Sequence, residues 1–342
     1  MRVVAIGGGT GLSTVLRGLK HHVTQPCRPA RFEPEIKRLT AIVTVTDEGG
    51  SSGRLRRDFR MLPPGDIRNC MVALAEDEQL LTKLFNYRFS AGHGLRGHNL
   101  GNLLLTALTH LTHDFAKAVR LSSEVLATRG EIFPATLADV HLQATRTDGV
   151  ILQGEDSIHK TRVPIRRLHI VPSRCRPLPE AVDAIRHADL ITVGPGSVYT
   201  SLIPNLLVQN IAREIADSRA VKVLVCNLMT QPGESRSYSA ADHIRALHAH
   251  ARRKLFDYVV LNTQPFSRTL LARYAADRAE PVALDFEAVA RLDVKPICAN
   301  LLLEDHVARH DSAHLAHLLL SLAKPALRRG RSTRRPAKKL RP

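Results

Sequence analysis

Four glycines in five positions, Gly7-Gly8-Gly9-Thr10-Gly11, follow the short apolar run Arg2–Ile6 and precede Leu12, Val15, Leu16 and Leu19 at helical spacing. A turn without side chains leaves its backbone N–H groups open, and at a helix N-terminus those groups suit a phosphate. Gly8, Gly9, Thr10 and Gly11 are therefore candidate ligand contacts. The run is not a G-x-G-x-x-G fingerprint, because Leu12 stands where the third glycine belongs when Gly7 is counted first. No Gly-Lys-Ser/Thr follows to make it a Walker A loop. A second polar segment, Thr46–Arg54, closes the β-branched run Leu39–Thr46. Asp47 there can accept from a ribose hydroxyl, and Gly50, Ser51 and Ser52 offer donors to a diphosphate. Arg54 or Arg56 would add charge-assisted bonds, and the pair Asp47 and Glu48 could instead hold Mg²⁺.

Two further segments open helices. In Pro63–Asn69, Asp66 is a capping or ligand candidate, and in His98–Asn102, Asn99 is a cap candidate with Asn102 beside it. Three more turns each follow an apolar run: Gly194-Pro195-Gly196-Ser197 after Asp189–Val193, Asn227–Gly233 after Lys222–Cys226, and Asn262–Pro265 after Tyr258–Leu261. Helical spacing fills the interval between Ile67 and Leu111, and alternating segments fill roughly 138–170. Strands alternating with helices predict a three-layer α/β/α Rossmann-like domain, with a mainly parallel sheet and a helical and β insertion. In such a sheet ligands bind beyond the carboxyl ends of the strands. The polar turns should thus converge on one crevice, which adds Asn99, Asn102, Gly194, Gly196 and Ser197 to the candidates. There is no G-x-S-x-G and no H-E-x-x-H, so no catalytic residue is indicated by motif. If the protein is an enzyme, Asp47 and Asp66 are the candidates.

Composition bounds the rest. The chain has 342 residues, 44% hydrophobic and 24% charged, which fits a globular protein. Its five cysteines are scattered and never form C-x-x-C, so neither a disulfide scaffold nor a structural zinc site is supported. No apolar run approaches a spanning helix or a signal peptide, and a cytoplasmic protein is expected. The 49 Lys and Arg against 32 Asp and Glu give a net charge of +17. Eight of those cations crowd into 325–342, where there is no acid and little apolar content, so the rest of the chain carries +9. One domain over 1–324 and a disordered basic tail over 325–342 are expected, the tail giving weak non-specific polyanion binding. A nucleic-acid-binding protein acting through that tail is an alternative, although the absence of Trp and only 4% aromatics argue against base stacking.

Together, GGGTGLS at 7–13, DEGGSSGRLR at 47–56, PPGDIRN at 63–69, HNLGN at 98–102, GPGSVYTSLIPNLLV at 194–208, CNLMTQPGES at 226–235 and RHD at 309–311 closely resemble the bacterial gluconeogenesis factor family, YvcK-type, within the wider CofD-like fold. The resemblance runs in order from Met1 to about Lys324. It implies a regulatory protein needed for cell shape and wall synthesis on gluconeogenic carbon sources, with a UDP-sugar such as UDP-N-acetylglucosamine or UDP-glucose as ligand. It implies Tyr274 and Arg309 in that ligand site. Cell-wall synthesis proteins as partners and a homo-oligomer are also expected. The wider fold includes 2-phospho-lactate transferases, which use a guanylylated donor and Mg²⁺, so a transferase of a phosphorylated group is the alternative function. The chain departs from the family pattern in Glu48, where Asp is frequent, and in Ser235, where Thr is usual.

Overall fold

In the computed structural model, which describes residues 1–24, 36–76 and 79–332, the aliphatic runs become parallel strands. In chain order these are β1 (Arg2–Gly7), β2 (Arg38–Val43) and β3 (Glu131–Pro134). Next, β4 (His141–Arg146), β5 (Ile151–Gln153) and β6 (Ile165–Val171) form a separate antiparallel sheet in the order β5-β4-β6. The main sheet resumes with β7 (Leu190–Val193), β8 (Val221–Val225), β9 (Tyr258–Asn262) and β10 (Lys295–Ala299). A hairpin of β11 (Leu302–Glu304) and β12 (Ala308–His310) follows.

The seven-stranded sheet has the order β10-β9-β8-β7-β1-β2-β3, every pairing parallel. Ile6 pairs with Ile42 on one side and Val193 on the other, so chain order reverses about β1. A crevice opens at such a reversal because the connections leaving β1 and β7 run to opposite sides. Central strands are buried on both faces, which is why they read as continuous apolar runs. Val3, Ala5, Ile6, Leu12 and Leu16 have no exposed surface or essentially none. Each large side chain so buried is worth about 1.5–3 kcal/mol. The helix Gly9–Leu19 lies against Gly65–Leu74 on one flank and against Ser312–Ser332 on the other, which fixes its N-terminus over the end of β1.

The expected fold class is therefore the observed one. Three details differ. The second strand ends at Val43, where the Thr44 N–H closes the ladder on the Gly7 carbonyl at 3.0 Å. Both edge strands, β3 and β10, escape the sequence reading: β3 is buried but only four residues long, and β10 is partly exposed and carries no apolar run. The last helix continues through Ser332, so the boundary expected at 325 falls inside a helix. The remainder of the expected tail, 333–342, lies outside the described residues.

Candidate functional site

A cleft of about 730 Å³ opens at the reversal point. Its floor is made by two turns in direct contact. A Cβ on Gly11 would sit 2.2 Å from the Pro195 carbonyl oxygen, so only glycine lets the first helix approach the second turn this closely. Asn227 holds that second turn from β8: its side-chain oxygen accepts from the Gly196 N–H at 2.9 Å, and its amide donates to the Gly196 carbonyl at 2.9 Å. Gln231 adds a 2.7 Å bond from its side-chain amide to Ser197 Oγ.

One wall is acidic. Asp47, Asp66 and Glu155 all face the cleft. Asp66 is not the helix cap that the sequence suggests: Pro64 takes the N-cap position, with no side-chain bond, and Asp66 lies in the first turn. Burial first, then the nearby Asp47 carboxylate, pushes the Asp66 pKa up to about 7. Burial and Asp47 likewise push Glu155 up to about 8, against the pull of the Glu48 N–H that it accepts at 2.9 Å. His159, near the end of the short helix Glu155–Lys160, is raised chiefly by its 2.6 Å contact with Glu234.

A carboxyl whose folded pKa lies above its unfolded value binds its proton more tightly in the native state. Its contribution to stability is present at low pH and is lost as pH rises toward the folded pKa. Asp66→Asn should therefore match wild type near pH 3.5, below the unfolded carboxyl pKa, and exceed it progressively up to pH 8, by something on the order of 2–4 kcal/mol. Denaturant melts at the two pH values measure this. An unchanged difference between pH 3.5 and pH 8 would show that Asp66 carries no such strain.

The other wall is basic. Arg17 and Arg309 are exposed, and neither side chain has a hydrogen bond or ion pair among the described residues. Tyr274 completes this side. Its hydroxyl accepts from the Ala308 N–H at 3.0 Å, and its ring packs with Leu228, Met229 and Leu302. The hairpin β11–β12 thus carries Arg309 to the cleft rim.

The cleft brings together Gly8, Gly9, Thr10, Gly11, Asp47, Asp66, Gly196, Ser197, Tyr274 and Arg309. Gly50, Ser51, Ser52, Asn99, Asn102 and Gly194 do not line it. Ser51 is buried, 3.1 Å from His98 Nδ1, and accepts from the Asn102 side chain at 3.2 Å. Asn99 caps the helix Leu100–Thr112 by accepting from the Asn102 N–H. Ser51, His98, Asn99 and Asn102 thus form a capping network, in which the Asn102 side-chain oxygen alone is left buried without a partner. Glu48 turns away from Asp47: it accepts from His141 at 2.9 Å and from the Glu155 N–H at 3.1 Å. The two acids therefore do not form a metal pair. Among the described residues no group of three or more His, Cys, Asp or Glu is placed to hold a metal. Arg54 and Arg56 are spent elsewhere, on the Arg96 carbonyl and on Asp139 with the Val140 carbonyl. Arg17, Glu155 and His159 escape the sequence reading, while Asn227 and Gln231 lie in the turn Asn227–Gly233, expected at the crevice, without being singled out in it. For Arg17 a signal exists, since Thr10, Thr14 and Arg17 follow one helical face.

A sequence profile described as "2-phospho-L-lactate transferase CofD" matches residues 3–302. The gluconeogenesis factor of Bacillus subtilis is 43% identical over 324 residues, 94% of this chain and 98% of that protein. This chain belongs to the gluconeogenesis factor family. The gluconeogenesis factor of Halalkalibacterium halodurans is 46% identical over 319 residues, covering 93% of this chain and 95% of that protein. A relative from Nostoc sp. strain PCC 7120 reaches 52% over 322 residues, 93% of this chain but 68% of that longer protein. A crystal structure of a UPF0052 family member from Bacillus halodurans superposes with a TM-score of 0.87 at 45% identity, covering 93% of this chain and 98% of that one. No helix among the described residues is long and apolar enough to cross a membrane.

Proposed function

We propose that the cleft binds a UDP-sugar, UDP-N-acetylglucosamine or UDP-glucose, and that the protein acts as a cytoplasmic regulator of wall synthesis and cell shape on gluconeogenic carbon. One observation carries the reading. The N-terminus of the helix Gly9–Leu19, where Asp66 accepts from the Gly9 N–H, faces a space that also holds two uncommitted guanidiniums, Arg17 and Arg309. Backbone N–H groups and planar cations together suit a diphosphate better than any other common ligand group. Tyr274 supplies a face for the base or sugar.

Mg²⁺ belongs to the same proposal. Asp47 and Asp66 repel one another across the cleft floor, and a divalent cation there would relieve that cost. With two carboxylates on offer, its other ligands would be water and diphosphate oxygens, the pattern usual for Mg²⁺. These acids also support the second reading, in which the protein moves a phosphorylated group from a nucleotide donor. There Asp47 and Asp66 would orient the donor and its acceptor, and the bound ion would stabilise charge on the diphosphate.

Micromolar affinity for a UDP-sugar is expected, about −8 kcal/mol. Calorimetry against UDP-, GDP- and ADP-linked ligands, with and without Mg²⁺, measures it. No change in melting temperature with any UDP-sugar at millimolar concentration would remove this reading. Turnover of a nucleotide donor in the same samples would replace the regulator by the transferase.

A further inference from the structure

Behind the acidic wall lies a second pocket of about 290 Å³, meeting the cleft at His159. Three separate segments supply its cations. Lys160 and Arg162 come from the end of the helix Glu155–Lys160, Arg236 from the turn after Gly233, and Arg278 from the end of the helix Arg268–Ala276. All four side chains are on exposed residues, and none has a hydrogen bond or ion pair among the described residues. Asp277 is the only acid lining the pocket. Four like charges converging on so small a volume repel one another, and the fold offers them no internal partner.

The backbone holds this arrangement firmly. A Cβ on Gly233 would lie 1.9 Å from the His159 carbonyl oxygen, so the turn carrying Arg236 is docked directly on the helix end carrying Lys160. Arg278 has φ +60° because it is the left-handed residue that closes the helix Arg268–Ala276, where the Ala279 N–H bonds back to the Tyr274 carbonyl at 2.9 Å. Glu234, one residue from Gly233, accepts from the Tyr199 N–H and from Thr200 Oγ1, both at 3.1 Å. The basic pocket is thereby tied to the segment that follows Ser197 in the cleft.

We propose that this pocket is a second anion site, taking a small, multiply charged phosphate compound separately from the nucleotide cleft. Its volume admits a pyrophosphate or a compact phosphate ester, and its planar guanidiniums favour phosphate oxygens. The Glu234 connection makes it a place from which a second phosphorylated metabolite would influence the cleft.

Inorganic pyrophosphate is the probe. Because the cleft is itself proposed to take a diphosphate, the titrations use the full chain with the cleft obstructed by Gly9→Val. There pyrophosphate should still bind saturably, and at least tenfold more weakly once Arg236→Gln and Arg278→Gln are added. Adding Arg253→Gln instead, a surface cation outside both pockets, should change binding less than twofold. All four cations of the pocket are exposed, so their replacement should leave the melting temperature of the Gly9→Val chain unchanged. Undiminished binding without Arg236 and Arg278, equal weakening by Arg253→Gln, or no saturable binding in Gly9→Val would each overturn the proposal. UDP-sugar titration of wild type and of Arg236→Gln/Arg278→Gln reads the cleft separately, so failure here leaves the UDP-sugar reading standing.

Discussion

Gly9→Val should lower UDP-sugar affinity at least a hundredfold while the chain still folds. Gly9 has φ +61°, and a Cβ built there meets only Ser201 Oγ, at 3.8 Å. The position is strained for an L residue yet sterically open on the cleft side. A valine would thus pay about 1–2 kcal/mol in backbone conformation and project its methyl groups where a phosphate would sit. A domain of ordinary stability, about 5–15 kcal/mol, survives that cost. Gly11 makes a poorer test, because a side chain there collides with the Pro195 backbone and would disturb the fold itself. Calorimetry with UDP-N-acetylglucosamine and a thermal melt on the same sample separate the two effects. Wild-type affinity in a folded Gly9→Val protein would remove phosphate from this turn.

Most residues that reached the cleft as expected sit within a few positions of a buried parallel strand, Asp66, Tyr274 and Arg309 being the exceptions. Gly8 to Gly11 follow β1, Asp47 follows β2, and Gly196 and Ser197 follow β7. A continuous apolar run is visible in sequence, and the Rossmann-like arrangement converts its end into a place. The same rule fails for Ser51, Ser52 and Glu48. They begin where Asp47 begins, yet the chain enters the helix Gly50–Phe59 at once and turns those side chains inward or toward β4. Direction of a side chain, unlike position of a strand end, is set by partners distant in sequence. Glu155 and Gln231 illustrate the converse. Nothing local marks Glu155 as ligand-facing, and it reaches the cleft because the antiparallel sheet β5-β4-β6 carries its short helix there. Asn227 looks like an ordinary turn residue until its clamp on Gly196 is seen. Arg309 and Tyr274 were available only through family resemblance: hairpin β11–β12 is too short and too exposed to show a pattern, and Tyr274 lies within the helix Arg268–Ala276, away from any strand end.

That hairpin makes Arg309 the sharpest test of how the basic wall works. Arg309 pairs with Leu303 across the hairpin, and Asp311 then starts the last helix by accepting from the N–H groups of Ala313 and His314, each at 3.0 Å. The backbone on both sides is therefore fixed, while the guanidinium itself is free of partners. Removing it should leave the fold untouched, because no contact is lost and no buried group is exposed. Arg309→Ala should weaken UDP-sugar binding roughly ten- to a hundredfold, the range for a charge-assisted bond to phosphate. Arg309→Lys should recover only part of this, since an ammonium cannot present two parallel N–H donors. Arg17→Ala should act in the same direction. If both guanidiniums hold one diphosphate, the double variant should lose less than the two single losses multiplied together, because the surviving ligand pose shifts once either anchor is gone. Titrations of the three alanine variants and of Arg309→Lys at two salt concentrations decide it. Wild-type affinity in Arg309→Ala would reduce this residue to a surface charge, and an unchanged salt dependence would do the same for the whole basic wall.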